Sequence, residues 1–276
     1  MSKETHNIDP TDKVEKRTEL GNVIPWHEKY RWSSLDDIVG QDENVEFLKG
    51  LEKLPVEKIP HLILVGPPGT GKTTVAEAFR PDMKKTVMNI ANASGVEQAR
   101  KLEEMIRMRG SMFEYDINRA TGKNNSGHKV ILNEADRMTK DAQKVLHEPL
   151  EQVVGRLKVI ITVNKLDNFE PAFLRRFTIL EFNGLSDLNL KKLAEKVIKL
   201  EGVKITENNL QKIIQQAGGS PYYLINDLEH FNHLKLVPPR LTTKFQNIYD
   251  ESKNANSKFI KQEDPVDFLS DPSWGI

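Results

Sequence analysis

Residues 66–74 read GPPGTGKTT, which fits the spacing G-x-x-x-x-G-K-[ST] and follows an apolar run, HLILV, at 61–65. Gly66, Gly69 and Gly71 let the backbone wrap so tightly that successive N–H groups converge on phosphate oxygens, with Pro67, Pro68 and Thr70 completing the turn. Lys72 is spaced to reach the β- and γ-phosphates of a nucleotide, and the Thr73 hydroxyl to hold Mg²⁺ beside them. A helix that opens at Lys72 and runs through Thr74 points the favourable end of its dipole at the same place. The chemistry predicted is binding of a nucleoside triphosphate.

Passing the terminal phosphoryl group to water takes two more parts, an acid that organises the metal and a carboxylate that orients the water. The run KVILNEAD at 129–136 offers both positions. Glu134, at the end of an apolar strand, is the candidate catalytic carboxylate. Asn133 stands where a metal-supporting aspartate is expected; its amide accepts a hydrogen bond from metal-bound water but brings no charge. A plain strand-end turn is the alternative for this pair. Asn164 ends a second apolar run, KVIITVN, and points into the crevice at the carboxyl end of a parallel sheet. There it positions the attacking water or senses the terminal phosphate, unless it only forms a turn.

These residues must be held at one edge of a scaffold, and apolar runs alternating with amphipathic helices supply one. Strands are predicted at 61–65, 86–90, 129–133, 158–163 and 178–182, their continuous apolar runs suiting burial on both faces. Helices are predicted near 42–53, 72–80, 96–109, 139–152 and 170–175. The expected class is α/β, a parallel five-stranded sheet covered by helices. After Gly184 only helical patterns remain, near 187–200, 206–217 and 221–235. Leu188, Leu193, Val197 and Leu200 are read as one apolar stripe, and Ile205, Leu210, Ile213 and Ile214 as another. Helices this short need each other and predict a small all-α unit, the last helix broken by Val237-Pro238-Pro239-Arg240. The expected division is a flexible arm at 1–24, a core at 25–183, a helical lid at 184–236 and a polar tail at 237–276. The stretch Gly110–His128, containing GKNNSG, is expected to be a mobile loop.

Composition narrows the partners less than the motifs do. Forty basic residues balance forty acidic ones, so a nucleic-acid partner has to be argued from local surfaces. The chain has no cysteine, which excludes disulfides and thiolate metal sites and fits the cytosol. No apolar run long enough for a membrane span is present, and the first twenty residues lack the apolar centre of a secretory signal. The expected place is the cytoplasm or nucleoid.

The segment PWHEKYRWSSLDDIVGQ at 25–41 resembles the N-terminal box of the replication factor C small subunits, the AAA+ clamp-loader family, and of their archaeal and phage relatives. The likeness continues through IPHLILVGPPGTGKTT, NAS at 92–94, NEADRMTKDAQ at 133–143, IITVN and PAFLRRF, and covers roughly residues 25–230. It implies a P-loop AAA+ core with a small all-α lid, an ATPase that uses ATP and Mg²⁺, and partners in other clamp-loader subunits, a sliding clamp and primer-template DNA. It further implies that Tyr30, Arg31, Val39 and Gly40 lie near the adenine and phosphates. An arginine near the end of the core, Arg175 or Arg176 with Arg175 favoured, would reach a neighbouring subunit's ATP. GVEQARKLEEMIR aligns with a DNA-facing helix, placing Arg100 and Arg107 on phosphates, although Arg100 can instead pair with Glu104.

The sequence also departs from the family. His147 and Glu148, followed by Pro149, stand where an arginine pair is expected, and Tyr222 in GGSPYYLIN where the lid carries an arginine. Where the family has a helical collar, residues 237–276 are largely polar, and the chain is expected to assemble through its AAA+ modules alone or through partner subunits. Within that stretch QEDPVDFL at 262–269 resembles a clamp-binding peptide, with Gln262 followed by Phe268-Leu269. Two alternatives stay open: a nucleotide-binding scaffold subunit with weak or no hydrolysis, and an AAA+ branch-migration or helicase-loading motor.

Overall fold

A computed structural model of the chain describes residues 24–90, 96–106, 127–152 and 157–239. Five strands, β1 (His61–Val65), β2 (Lys84–Asn89), β3 (His128–Asn133), β4 (Leu157–Val163) and β5 (Phe177–Glu181), form one sheet in the order β2-β3-β4-β1-β5. Every pairing is parallel. The helices are α1 (Trp26–Lys29), α2 (Asp42–Glu52), α3 (Lys72–Ala78), α4 (96–106), α5 (Lys140–Gln152), α6 (Pro171–Leu174), α7 (Asp187–Glu201), α8 (Glu207–Ala217) and α9 (Pro221–Leu234). Among the described residues no helix is long and apolar enough to cross a membrane.

Strand periodicity sorts the core into two layers. Ile63, Val65, Val130, Leu132, Val159, Ile161 and Val163 face one way and meet α4, α5 and α6 through Leu102, Leu146 and Phe173. Leu62, Leu64, Ile131 and Ile160 face the other way and meet α2 and α3 through Leu48, Val75 and Phe79, just past α3. The expectation of burial on both faces holds for β1 and β4 but not for β2. Among the described residues that strand pairs with β3 alone, and Lys84, Lys85, Val87 and Asn89 are exposed. Such an edge with lysines resists pairing with another chain.

The three C-terminal helices pack around Leu190, Leu193, Val197, Leu210, Ile213, Leu224 and Leu228. Ser186, Thr206 and Ser220 open them, each side-chain oxygen accepting from a backbone N–H three residues on. The predicted stripe on the first of these helices is corrected. Leu188 and Leu200 are 65% and 52% exposed, and the buried stripe is Leu190, Leu193, Ala194 and Val197. The reason is the helical period: 190, 193, 194 and 197 share a face, whereas five residues from 188 to 193 turn well past it. Leu190→Ala should therefore lower stability by about 2–3 kcal/mol and Leu188→Ala by less than about 0.5, read from denaturant midpoints.

Two further findings depart from expectation. Trp26 and Tyr30, adjacent in sequence to the sheet segments, bury themselves among α7–α9 instead. Glu201 on α7 accepts from the Tyr30 hydroxyl at 2.5 Å and from Lys29 Nζ at 2.6 Å, and Glu229 on α9 accepts the Trp26 N–H at 3.1 Å. Lys196 pairs with Asp37 at 2.9 Å and lies 3.8 Å from the centre of the Trp32 ring. The last helix ends at Leu234, where Lys235 turns left-handed at φ 56°, before the two prolines are reached. The arm, most of Gly110–His128 and almost all of the tail, with QEDPVDFL, lie outside the described residues.

Candidate functional site

Parallel strands that all run one way deliver their carboxyl ends to one edge, and three of them carry the predicted site residues there. The loop 66–71 leaves β1, Asn133 and Glu134 leave β3, and Asn164 leaves β4. Because β1 lies between β4 and β5 while the chain continues to β2 at the far edge, the crevice opens where the strand order reverses. A cleft of about 430 Å³ lies there. Tyr30, Arg31 and Val39 line it, as do Pro68, Gly69, Thr70, Gly71, Lys72, Thr73, Thr74 and Glu134. The far wall comes from the C-terminal helices through Leu193, Tyr222, Tyr223 and Ile225, with His27 and Trp32 beside them.

Two glycines of the loop are required by close approach. A Cβ on Gly66 would sit 2.0 Å from the Phe182 carbonyl oxygen, so only glycine lets the loop start beneath the end of β5. A Cβ on Gly69, at φ 77°, would sit 2.4 Å from Ser220 Oγ. That hydroxyl donates to the Gly69 carbonyl at 3.2 Å, and the Tyr222 N–H to the same carbonyl at 3.4 Å. The loop 66–71 and the start of α9 are thus joined by the residues that make the loop bend. Gly40 does not line the cleft; it is buried at φ 74°, where a Cβ would meet Leu185 Cγ at 3.0 Å.

Lys72 is buried, its ammonium donating to the carbonyls of Gly66 (2.5 Å) and Pro67 (2.8 Å) and to Asn164 Oδ1 (3.2 Å). Burial lowers its pKa from the ordinary lysine range to about 8, opposed by the charge of Asp136. Thr73 Oγ1 donates to Asn133 Oδ1 at 3.3 Å, and Thr162 Oγ1 to the same oxygen at 3.1 Å. The pair predicted for the metal is therefore side by side. Both offer neutral oxygens, with Glu134 the nearby anion on the cleft, a donor set that suits the hard Mg²⁺ ion with most of its waters retained. Glu134 sits at φ 54°, ψ 43°, a left-handed seat that costs a residue with a Cβ about 1–2 kcal/mol. Its N–H donates to Thr162 Oγ1 at 3.4 Å.

The remaining predicted residues lie apart from this cluster. Arg175 is exposed at the end of α6 and has no ion-pair partner among the described residues. Arg176 is committed within the chain, to the His147 carbonyl at 3.2 Å, to the Ala172 carbonyl and to Glu151. Arg100 is exposed on α4 without the Glu104 partner weighed above; the ion pair on that helix joins Lys101 to Glu97. Arg107 lies outside the described residues. Sequence reasoning missed Asp136, Thr162 and Ser220. The signal for Thr162 was a lone hydroxyl in an otherwise apolar strand, and for Ser220 a serine directly before proline at a helix start.

Residues 62–185 match the family model described as the ATPase family associated with various cellular activities (AAA). The chain is 32% identical over 221 residues to a replication factor C small subunit of Archaeoglobus fulgidus, covering 76% of this chain and 64% of that protein. It is 31% identical over 214 residues to the one of Thermoplasma volcanium, with 74% and 63% covered. Replication factor C subunit 3 of Blastobotrys adeninivorans is 29% identical over 230 residues, with 80% and 64% covered. The chain thus spans a little under two thirds of the length of these relatives. Among solved structures, the Thermotoga maritima RuvB Holliday junction branch migration motor superposes with a TM-score of 0.59 at 18% identity. That superposition covers 81% of this chain and 72% of RuvB, a likeness of fold.

Proposed function

This chain has the AAA+ fold and is a relative of the replication factor C small subunits, and on that premise we propose that it is an ATP-dependent clamp-loader subunit. In this reading it couples ATP binding and hydrolysis to placing a sliding clamp on primer-template DNA, together with other subunits. The observation that carries the reading is the convergence of Lys72, Thr73, Asn133, Glu134 and Asn164 at one edge of the sheet beside a cleft. Lys72 exchanges the Gly66 and Pro67 carbonyls for phosphate oxygens. Thr73 and Asn133 would hold Mg²⁺, which when bound with ATP neutralises charge across the β- and γ-phosphates. Glu134 orients a water and takes its proton as the water oxygen bonds to the γ-phosphorus and the bond to the bridging oxygen breaks. Asn164 contacts the terminal phosphate or that water. Arg175 reaches a neighbour's nucleotide, and the exposed face of α4 carries Arg100 along DNA phosphates, a contact the proposal extends to Arg107, which lies outside the described residues. Binding of the protein to primer-template DNA should strengthen with a non-hydrolysable ATP analogue, read by fluorescence anisotropy. Equal binding with and without the analogue contradicts the reading.

A second reading, a nucleotide-binding scaffold with little hydrolysis, is favoured by two features. Asn133 supplies no charge to the metal, and the lid side of the cleft presents Leu193, Tyr222, Tyr223 and Ile225 without a cation.

Two expected outcomes arise here. With Lys72 at about 8 among its carbonyl partners and higher among phosphates, the nucleotide-bound state holds more protons. Nucleotide affinity should therefore decline as pH rises through and above about 8, with proton uptake visible by calorimetry in buffers of different ionisation enthalpy. The arginines should separate too. Arg176→Ala should loosen the α5–α6 junction by about 1 kcal/mol, whereas Arg175→Ala should leave the melting temperature unchanged and reduce turnover only in the assembled oligomer.

A further inference from the structure

Asp136 is acidic, half-buried and next to the cleft, yet the mechanism above gives it no task. Its carboxylate accepts the Asn164 backbone N–H at 2.5 Å and the Lys165 N–H at 3.2 Å. It also accepts the Asn164 side-chain Nδ2 at 3.1 Å. The other half of that amide, Oδ1, accepts from Lys72. The donor and acceptor inventory leaves one arrangement. A carboxylate only accepts, so it takes the NH₂; an ammonium only donates, so it takes the oxygen. The asparagine is held from both ends, and only the Asp136 end is independent of nucleotide, because Lys72 is the group that must turn to the phosphates.

We propose that Asp136 is a positioning residue: it fixes which way the Asn164 amide faces, and so which atom Asn164 presents to Lys72 and the terminal phosphate. The proposal rests on the nucleotide-binding reading of the cleft and adds a residue to it. In Asp136→Asn the new side-chain oxygen still accepts from the backbone N–H groups of 164 and 165, so the turn is retained. The new NH₂, however, meets the Asn164 NH₂. If the Asn164 amide turns over to relieve that clash, its NH₂ faces the Lys72 ammonium. Either way two donors confront each other where donor and acceptor met before. Asp136 also favours the charged form of Lys72, which adds a second, electrostatic link to the same lysine.

The test is a double-mutant cycle on the full chain with Asp136→Asn, Asn164→Ala and both together, folding being checked by thermal melts. The reading is the ratio of affinities for a non-hydrolysable ATP analogue and for ADP, which needs no turnover. Each single variant should reduce the preference for the ATP analogue by roughly tenfold, with ADP affinity within about threefold of wild type. The double variant should match Asn164→Ala alone, because both act through one amide. A purely structural role would lower the affinities for both nucleotides together and add in the double variant; that result overturns the proposal. An unchanged ratio in Asp136→Asn also overturns it, as does a wild-type protein that binds the two nucleotides equally, and both leave the nucleotide-binding reading standing. Absence of any nucleotide binding by the wild type overturns that reading and the proposal with it. Should Asp136→Asn melt far below the wild type, Asn164→Ala and Asn164→Ser, which leave the Asp136 contacts to backbone N–H groups in place, carry the ratio test. If neither changes the ratio, the proposal fails.

Discussion

Lys72→Ala should weaken ATP binding by two to three orders of magnitude, about 3–4 kcal/mol, while the fold is retained. The ammonium is buried at the foot of the loop, within 2.5–3.2 Å of three acceptors, in the position from which it would meet phosphate oxygens. Removing it leaves phosphate charge in a partly enclosed cleft without its lysine counter-charge, and a deeply placed charge without its partner is costly. The same change strips the Gly66 and Pro67 carbonyls of their side-chain donor, so a modest loss of stability should accompany it. Isothermal calorimetry with ATP and Mg²⁺ checks the affinity, and a thermal melt checks that the protein is folded. Unaltered affinity in the folded variant would falsify the assignment of the loop.

The second large effect is on chemistry rather than binding. Glu134→Gln should keep ATP affinity within a fewfold of wild type and reduce turnover by roughly 10²–10⁴-fold, because an amide cannot accept the water's proton. Glutamine has the same shape and can occupy the same left-handed seat, φ 54°, so the Thr162 contact to its N–H survives and the loss is chemical. Phosphate release measured with DNA and partner subunits present is the readout. Wild-type turnover no faster than that of the variant would favour the scaffold reading over the clamp-loading ATPase.

What the sequence made legible was whatever depends on neighbours along the chain. The loop 66–74 and the five apolar strands are local patterns, and the strands appear within two residues of their expected ends. Contacts between distant segments were not legible. Asp136 has no role in the sequence reading, and its contact to Asn164, 28 residues later, exists only once β3 and β4 pair. The choice of Leu190 over Leu188 was available from the helical period, which puts Leu190, and not Leu188, on the face of Leu193 and Val197. Arg175 and Arg176 are indistinguishable as letters. Their difference is that α5 passes close enough for Glu151 and the His147 carbonyl to occupy one of them. Trp26 and Tyr30 joined the helical unit because Glu201 and the apolar interior of α7–α9 offered them burial that the sheet segments did not.

The proposed activity is tested most directly by clamp retention on primed circular DNA, with the chain, its partner subunits, the sliding clamp and ATP combined and free clamp removed by gel filtration. Wild-type protein with ATP should leave the clamp on the DNA, and omission of ATP or the use of Lys72→Ala should abolish that retention. Equal retention with and without ATP, or with Lys72→Ala in place of the wild type, would contradict the claim that this cleft drives clamp loading.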